Sequence, residues 1–89
     1  MPTSAQISVG TTATLLVAAT AFDQTAYVHN MEHGGGNPAV FLGDANVTAA
    51  NGFELDAGDT ITIGVGDHEA LYAIAASGTV AVSVLKQVN

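Results

Sequence analysis

The chain contains no cysteine and almost no basic side chains. Without cysteine, no disulfide bond can cross-link its 89 residues, and no cysteine-ligated zinc site can form. Lys86 is the only basic residue apart from three histidines, whereas eight residues are acidic, so the formal net charge is −7. Nucleic-acid binding requires lysine and arginine to neutralise phosphates, and an acidic chain is repelled by anionic membranes for the same reason. The composition therefore excludes both classes of partner.

No hydrophobic run is long enough to cross a membrane. The most continuous apolar stretch, residues 13–22, falls far short of the ~20 residues that a membrane helix requires. No positively charged region precedes this stretch, so it does not have the form of a signal peptide. We expect a protein that is made in a cytoplasm.

Charged residues are scarce as well. Only 10% of the residues are charged and 48% are hydrophobic, and much of the hydrophobic content is alanine and valine. A short chain of this composition has a small core and outer surfaces that carry little charge. Small domains without cross-links often gain stability by oligomerising. We therefore expect one domain over residues 1–89 that assembles with other chains.

Apolar residues alternate with small or polar ones along most of the chain, and this period of two indicates β-strands. Strands are predicted over residues 5–9, 12–17, 25–30, 39–42, 53–55, 60–65, 71–75 and 79–85. The same period predicts buried faces that contain Ile61, Ile63, Val65, Val80, Val82 and Val84. In the second strand, Leu15 and Val17 are expected to point inward and Leu16 toward an interface. A short helix over residues 13–22 is the alternative for that segment.

Glycine marks the predicted turns. In Asn51-Gly52 and in Asp56-Ala57-Gly58-Asp59, glycine is expected to supply a positive φ. Ser77-Gly78 is expected to join the last two strands as a tight hairpin. Seven or eight short antiparallel strands at this spacing predict an all-β fold, a small single-domain β-sandwich or jelly-roll-like barrel. Residues 1–9 are then a first strand or an N-terminal arm.

One motif suggests metal chemistry. His29-Asn30-Met31-Glu32-His33 matches the H-x-x-E-H pattern of some metallopeptidases, in which a helix places both histidines on one face. Here a strand-like segment precedes the motif and three glycines follow it, which disfavours a helix. A solvated loop is the preferred interpretation, and a metal-dependent enzyme that uses His29, Glu32 and His33 is the alternative. We predict no catalytic residue, no cofactor and no metal site.

The other polar clusters have ordinary structural explanations. Asp44, Glu54, Asp56 and Asp59 lack the spacing of a calcium-binding loop, and turn chemistry accounts for the last two. Asp67-His68-Glu69 contains acid and base groups, but no nucleophile accompanies them. At least three of the five aromatic residues are expected in the core, because they lie in strand-like runs. These residues are Phe22, Tyr27, Phe41, Phe53 and Tyr72.

Three segments together resemble a group of small virion proteins of tailed bacteriophages. Residues 40–43 match a V-x-L-G strand, residues 51–58 match N-G-x-x-L-x-x-G, and residues 71–79 read L-Y-A-I-A-A-S-G-T. The resemblance covers residues 6–88 and implies a compact β-sandwich with a structural or adhesive role and no catalytic residues. The chain departs from the group at Asp23-Gln24, where relatives often carry a basic residue, and at residues 32–36, which are longer than the usual turn.

The resemblance implies a capsid decoration (cement) protein of the virion. Such a protein is made in the host cytoplasm, binds the major capsid protein on the outer capsid surface and forms a homo-oligomer, for which we expect a trimer. Contacts are expected from an N-terminal arm, from the loop over residues 32–38 and from uncharged strand faces. The individual candidates are Pro2, Ile7, Val9, Leu16, Tyr27, His33 and Pro38. The alternative function is an adhesive module of a head fibre or tail that binds carbohydrate or the host surface.

Overall fold

The computed structural model describes residues 2–31 and 39–88, and these residues form eight β-strands without a helix. The strands are β1 (Thr3–Val9), β2 (Thr14–Val17), β3 (Gln24–Asn30), β4 (Val40–Gly43), β5 (Phe53–Leu55), β6 (Thr60–Val65), β7 (Leu71–Ala75) and β8 (Val80–Val88). Each predicted strand is present, with bounds that differ by at most a few residues from those expected. Residues 14–17 are a strand, so the helical alternative for that segment is wrong.

The strands form two antiparallel sheets of four strands each. We name them sheet A, with the order β1-β8-β3-β6, and sheet B, with the order β2-β7-β4-β5. The order is that of a jelly roll, and the predicted all-β sandwich is confirmed. The N-terminal residues are the edge strand β1 of sheet A, paired with β8 from Thr3 to Val9. The tight hairpin predicted at Ser77-Gly78 is wrong, because β7 lies in sheet B and β8 in sheet A.

The core lies between the two sheets and consists of the alternate residues that the period of two predicted. Val28, Val80 and Val82 of sheet A are fully buried, as are Val40 and Ala73 of sheet B. Valine and alanine dominate this core, and no aromatic side chain belongs to it. Phe22, Tyr27 and Phe53 are exposed, while Phe41 and Tyr72 are half-buried. The expectation that at least three aromatic residues form the core is therefore wrong.

A register irregularity in β2 reverses the expected orientation of two leucines. The pairing with β7 shifts between Leu15 and Val17, so the strict alternation of sides is lost there. Leu16 and Val17 are both buried, and Leu15 is 44% exposed. The expectation that Leu15 points inward and Leu16 outward is wrong, because a bulge allows two successive residues to enter the core.

Two glycines act differently from each other in the turns. Gly58 has a φ of 83°, and the amide of Asp59 donates to the carbonyl of Asp56 at 2.9 Å, as the predicted turn requires. Gly52 has no positive φ, so that prediction is wrong. Instead, Gly52 packs against Phe41 and Val47, where a Cβ would lie 2.6 Å from the Phe41 Cβ. The loop over residues 44–52 therefore covers part of the outer face of sheet B.

Candidate interaction surfaces

The outer face of sheet A is broad, and the described strand residues that form it include no acidic residue and no lysine. Its residues are those that alternate with the buried ones in four adjacent strands. They are Ser4, Gln6 and Ser8 of β1, Ala81, Ser83, Leu85 and Gln87 of β8, Thr25, Tyr27 and His29 of β3, and Thr60, Thr62 and Gly64 of β6. Lys86 falls in the inward-facing set of β8.

Tyr27 and Leu85 form the apolar centre of the face. They are paired across β3 and β8, and they are 41% and 42% exposed. Beside them, the Nδ1 atom of His29 lies 2.7 Å from the Thr60 hydroxyl oxygen, which orients the imidazole along the sheet. A large apolar pair within a ring of hydroxyl and amide groups is typical of protein-binding surfaces, because uncharged polar groups cost less to remove from water than charged ones.

The acidic residues of the described ranges lie at the ends and on the far side of the sandwich. Asp23, Asp44, Asp67 and Glu69 are grouped near the loops that precede β3 and follow β4 and β6. Three of these carboxylates accept loop amides: Asp23 from Asp67 at 2.9 Å, Asp44 from Asn46 at 2.9 Å, and Glu69 from Gly66 at 3.1 Å. Asp56 and Asp59 lie at the opposite end, beside Asn30. The acidic residues of the described ranges are thus kept away from the face of sheet A.

The side edges of the two sheets differ in how they are protected. In sheet B, β5 has three residues including Glu54, and β2 has four residues with the irregularity described above. Shortness, charge and bulges are the devices that prevent an edge strand from pairing with another chain. In sheet A, β1 has seven residues and β6 has six, both have a continuous register, and neither contains a charged residue or proline.

An apolar cleft opens beside β6, where the two sheets separate. It has a volume of about 160 Å³ and is lined by Leu42, Gly43, Phe53, Ile61, Ile63 and Leu71. Phe53 belongs to the inward-facing set of β5, since it pairs with the buried Leu42, yet it is 58% exposed. The core is therefore open on this side, and its inward-facing side chains contact solvent through the cleft.

The contact residues predicted from sequence fall into three groups. Pro2 and Tyr27 are exposed and Ile7 is half-buried, so these three are available to a partner. Val9 and Leu16 are buried in the core of the chain itself and contribute to its packing instead. His33 and Pro38 lie outside the described residues. The period of two in β8, in which Val80, Val82 and Val84 are buried, would have placed Leu85 on the outward side, whereas its pairing with Tyr27 follows only from the sheet order.

The alternative chemical sites gain no support from the described part of the chain. Within residues 2–31 and 39–88, no three histidine, aspartate or glutamate side chains are placed to hold a metal ion. Glu32 and His33 of the H-x-x-E-H motif lie outside these ranges, and His29 lies on a strand, paired with Thr60. In Asp67-His68-Glu69, the imidazole lies 3.2 Å from the Asp67 carboxylate, with both groups exposed to solvent. Glu69 is engaged by the Gly66 amide.

Comparisons with known proteins identify the fold and not a family. No family model matches the chain, and no curated protein matches it. Among solved structures, the chain is similar to one described as Bacillus endospore appendages that form a novel family of disulfide-linked pili. The TM-score is 0.57 with 14% sequence identity, over 99% of this chain and 85% of the other. The described residues include no helix that is long and apolar enough to span a membrane.

Proposed function

We propose that the chain is a capsid decoration protein of a tailed-phage virion, which binds the outer surface of the major capsid protein as a homo-oligomer. The observation that carries this proposal is the outer face of sheet A, which combines a central apolar pair with uncharged polar side chains. The resemblance of residues 40–43, 51–58 and 71–79 to phage virion proteins indicates which partner this face binds. The role is structural, and it requires no catalytic group.

The stabilising effect of such a protein is mechanical. Each copy that bridges neighbouring capsid subunits removes apolar surface from water, which contributes roughly 25 cal/mol per Å² before the cost of association is subtracted. Repeated over all equivalent positions of a shell, this contribution resists internal pressure. A trimer fits the threefold positions of a shell, where one oligomer contacts several capsid subunits at once.

The charge of −7 agrees with an external location. Packaged DNA fills the inside of the capsid, and an acidic chain is repelled from it. The same charge opposes contact between copies of the chain, except through surfaces that carry no acidic group. Both binding to the shell and self-association are therefore directed to sheet A.

The similarity to a pilus protein supports the assembly part of the proposal. Pili are polymers of subunits, and the similar structure is described as a pilus. A fold of this kind is therefore compatible with self-association. Disulfide links, in contrast, are excluded here because the chain has no cysteine. Copies of this chain are held by non-covalent contacts alone.

The proposal is tested by adding the purified protein to capsids that lack decoration. We expect saturable binding in co-sedimentation, with a stoichiometry of one oligomer per symmetry position, and an increase in the temperature at which the capsid opens. Tyr27→Lys places a charge at the centre of the outer face of sheet A and should abolish binding. Glu54→Lys, on the outer side of β5, is the matched control and should bind normally. Capsids that take up no protein at any concentration contradict the proposal.

An adhesive module of a head fibre or tail is the second candidate, and the exposed aromatic rings favour it. Phe22, Tyr27 and Phe53 are all exposed, and aromatic rings can stack on the faces of sugars. Mass spectrometry of intact virions separates the two functions by copy number. Hundreds of copies in each particle indicate decoration, whereas a few copies together with saturable binding to host glycans indicate adhesion.

A further inference from the structure

The unprotected edges of sheet A invite pairing with another strand. Two hydrogen bonds show which neighbouring strand the backbone groups of each β3 residue face. The Asn30 amide donates to the Asp59 carbonyl at 3.0 Å, and the Met31 amide donates to the Ala81 carbonyl at 3.1 Å. In an antiparallel ladder, each strand residue directs both backbone groups to one side, and successive residues alternate. Even-numbered residues of β3 therefore bond to β6, and odd-numbered ones bond to β8.

The same alternation gives the backbone groups that face outward at both edges. In β8, the odd-numbered residues bond to β3, so the even-numbered ones bond to β1. Their partners in β1 are odd-numbered, which leaves Ser4, Gln6 and Ser8 with amides and carbonyls directed to the open edge. In β6, the partners of the even-numbered β3 residues are odd-numbered, which leaves Thr60, Thr62 and Gly64 directed outward. Each edge thus presents three residues with both groups available within the described chain.

The two edge strands, β1 and β6, are complementary in strand direction and in the face of the sheet that carries the side chains of their outward-directed residues. Because sheet A has four antiparallel strands, β1 and β6 run in opposite directions. A second copy in the same orientation would therefore place its β1 antiparallel to β6. The outward-directed residues of both edges also carry their side chains on the outer face. When these residues pair, their side chains stay together on the outer face. The pairing also brings Ala5 and Ile7 beside Ile61 and Ile63 on the inner face.

We infer that β1 of one copy pairs with β6 of the next copy, so that sheet A continues from chain to chain. With Gln6 opposite Thr62, Ser4 lies opposite Gly64 and Ser8 opposite Thr60, and each of these three pairs exchanges two backbone hydrogen bonds. This head-to-tail contact closes into a ring or continues as a filament, depending on the rotation between copies. It uses both open edges, whereas a two-fold contact of β6 with β6 would leave every β1 unpaired.

The apolar cleft supports the same partner. Ile61 and Ile63 are half-buried and Phe53 is exposed, so the inner face beside β6 lacks a cover. The inward-facing residues of an added β1, Ala5 and Ile7, are small or medium-sized and apolar, and they extend the core over the cleft. Neither strand brings an acidic group to the contact, which matters between chains that each carry a charge of −7.

Two proline variants test the pairing. Gln6→Pro removes an outward-directed amide from β1, and Thr62→Pro removes one from β6. Neither amide bonds to a neighbouring strand of the described sheet, and edge positions of this kind accept proline. By sedimentation velocity, each variant alone should be a monomer at concentrations where the unmodified chain is assembled. Mixed in equal amounts, the variants should form a dimer that grows no further. The intact β6 of Gln6→Pro pairs with the intact β1 of Thr62→Pro, and no intact edge remains for a third copy. Leu85→Lys, in the middle of the face, is the control and should assemble normally.

Several results would overturn the inference. An unmodified chain that stays monomeric at every concentration rules out the contact. Self-association of Gln6→Pro alone indicates a β6–β6 contact instead, and loss of assembly in Leu85→Lys indicates docking through the face. If a proline variant has lost the far-ultraviolet circular dichroism of the β fold, Gln6→Lys or Thr62→Lys replaces it in the same mixing scheme. The edge pairing rests on the self-association part of the proposed function. Because this test contains no capsid, a negative result leaves binding to the shell to be judged by the capsid reconstitution.

Discussion

The packing of the loop over residues 44–52 on sheet B predicts opposite effects for the same substitution at two glycines. A Cβ at Gly52 would lie 2.6 Å from the Phe41 Cβ, 2.8 Å from the Val47 Cγ2 and 3.0 Å from the Thr48 carbonyl oxygen. The first and last of these atoms belong to or adjoin the backbone, so they cannot swing aside. A Cβ at Gly10 would meet no atom within 4 Å. Neither glycine has a positive φ, which leaves packing as the difference between them.

Two terms set the size of the effect. Replacing glycine by alanine restricts the unfolded chain and stabilises a compatible site by about 0.4–1 kcal/mol. Overpacking a filled site costs about 1–3 kcal/mol. Gly10→Ala should therefore raise the free energy of unfolding by about 0.5 kcal/mol, and Gly52→Ala should lower it by about 1–2 kcal/mol. With a urea dependence of about 1 kcal/mol per M for a small domain, the two midpoints should differ by about 2 M.

Urea unfolding followed by circular dichroism measures both variants under identical conditions. Val47→Ala added to Gly52→Ala is a further control, since it removes one of the two side chains that the new methyl group meets. The double variant should then show a smaller loss than the sum of the single losses. Equal stability of Gly52→Ala and Gly10→Ala would refute the packing of this loop on sheet B.

Three further predictions concern the described part of the chain. Asn30 is fully buried and its side-chain amide donates to the Leu55 carbonyl at 3.1 Å, so Asn30→Asp should destabilise the fold by about 3 kcal/mol at neutral pH. Relative to the unmodified chain, this loss should shrink as the pH falls, because burial raises the pKa of the new carboxyl group. Gly58→Ala should cost about 1 kcal/mol in thermal unfolding, since its φ of 83° disfavours alanine. Self-association measured by sedimentation should strengthen when ionic strength rises from about 0.01 to 0.15 M, because the Debye length falls from about 30 to 8 Å. Weaker association in salt would show that ion pairs hold the contact.

The strands could be predicted from the sequence because their signal is local. In β6 and β8, alternate isoleucine and valine residues face the core, and a reader of the chain needs only neighbouring residues to see this. The sheet order could not be obtained in the same way. Ser77-Gly78 has the composition of a hairpin, but its strands enter different sheets, and that choice depends on pairings with β2 and β1 far away in the chain.

The errors at single residues have a common physical cause. The predictions for Leu16, Phe53 and Gly52 rest on the residues beside them in sequence, whereas their environments are set by distant parts of the fold. A bulge turns Leu16 inward, the open side of the sandwich exposes Phe53, and Phe41 fills the space where a side chain at position 52 would go. Tyr27 is among the predicted contact residues, and the structure places it on the outer face of sheet A.

The distribution of charge restricts how copies of this chain can approach one another. The two ends of the sandwich carry Asp23, Asp67 and Glu69, or Asp56 and Asp59, so end-to-end stacking brings like charges together. Lateral approach through β1 and β6 does not bring acidic side chains together. Lateral assembly in turn leaves the outer face of sheet A uncovered in every copy, with the Tyr27–Leu85 pair repeated at each position. The edges then hold the oligomer together while the face remains available to the shell. Thr62→Pro should therefore weaken capsid binding by loss of avidity, and Tyr27→Lys should abolish it while leaving the oligomer intact.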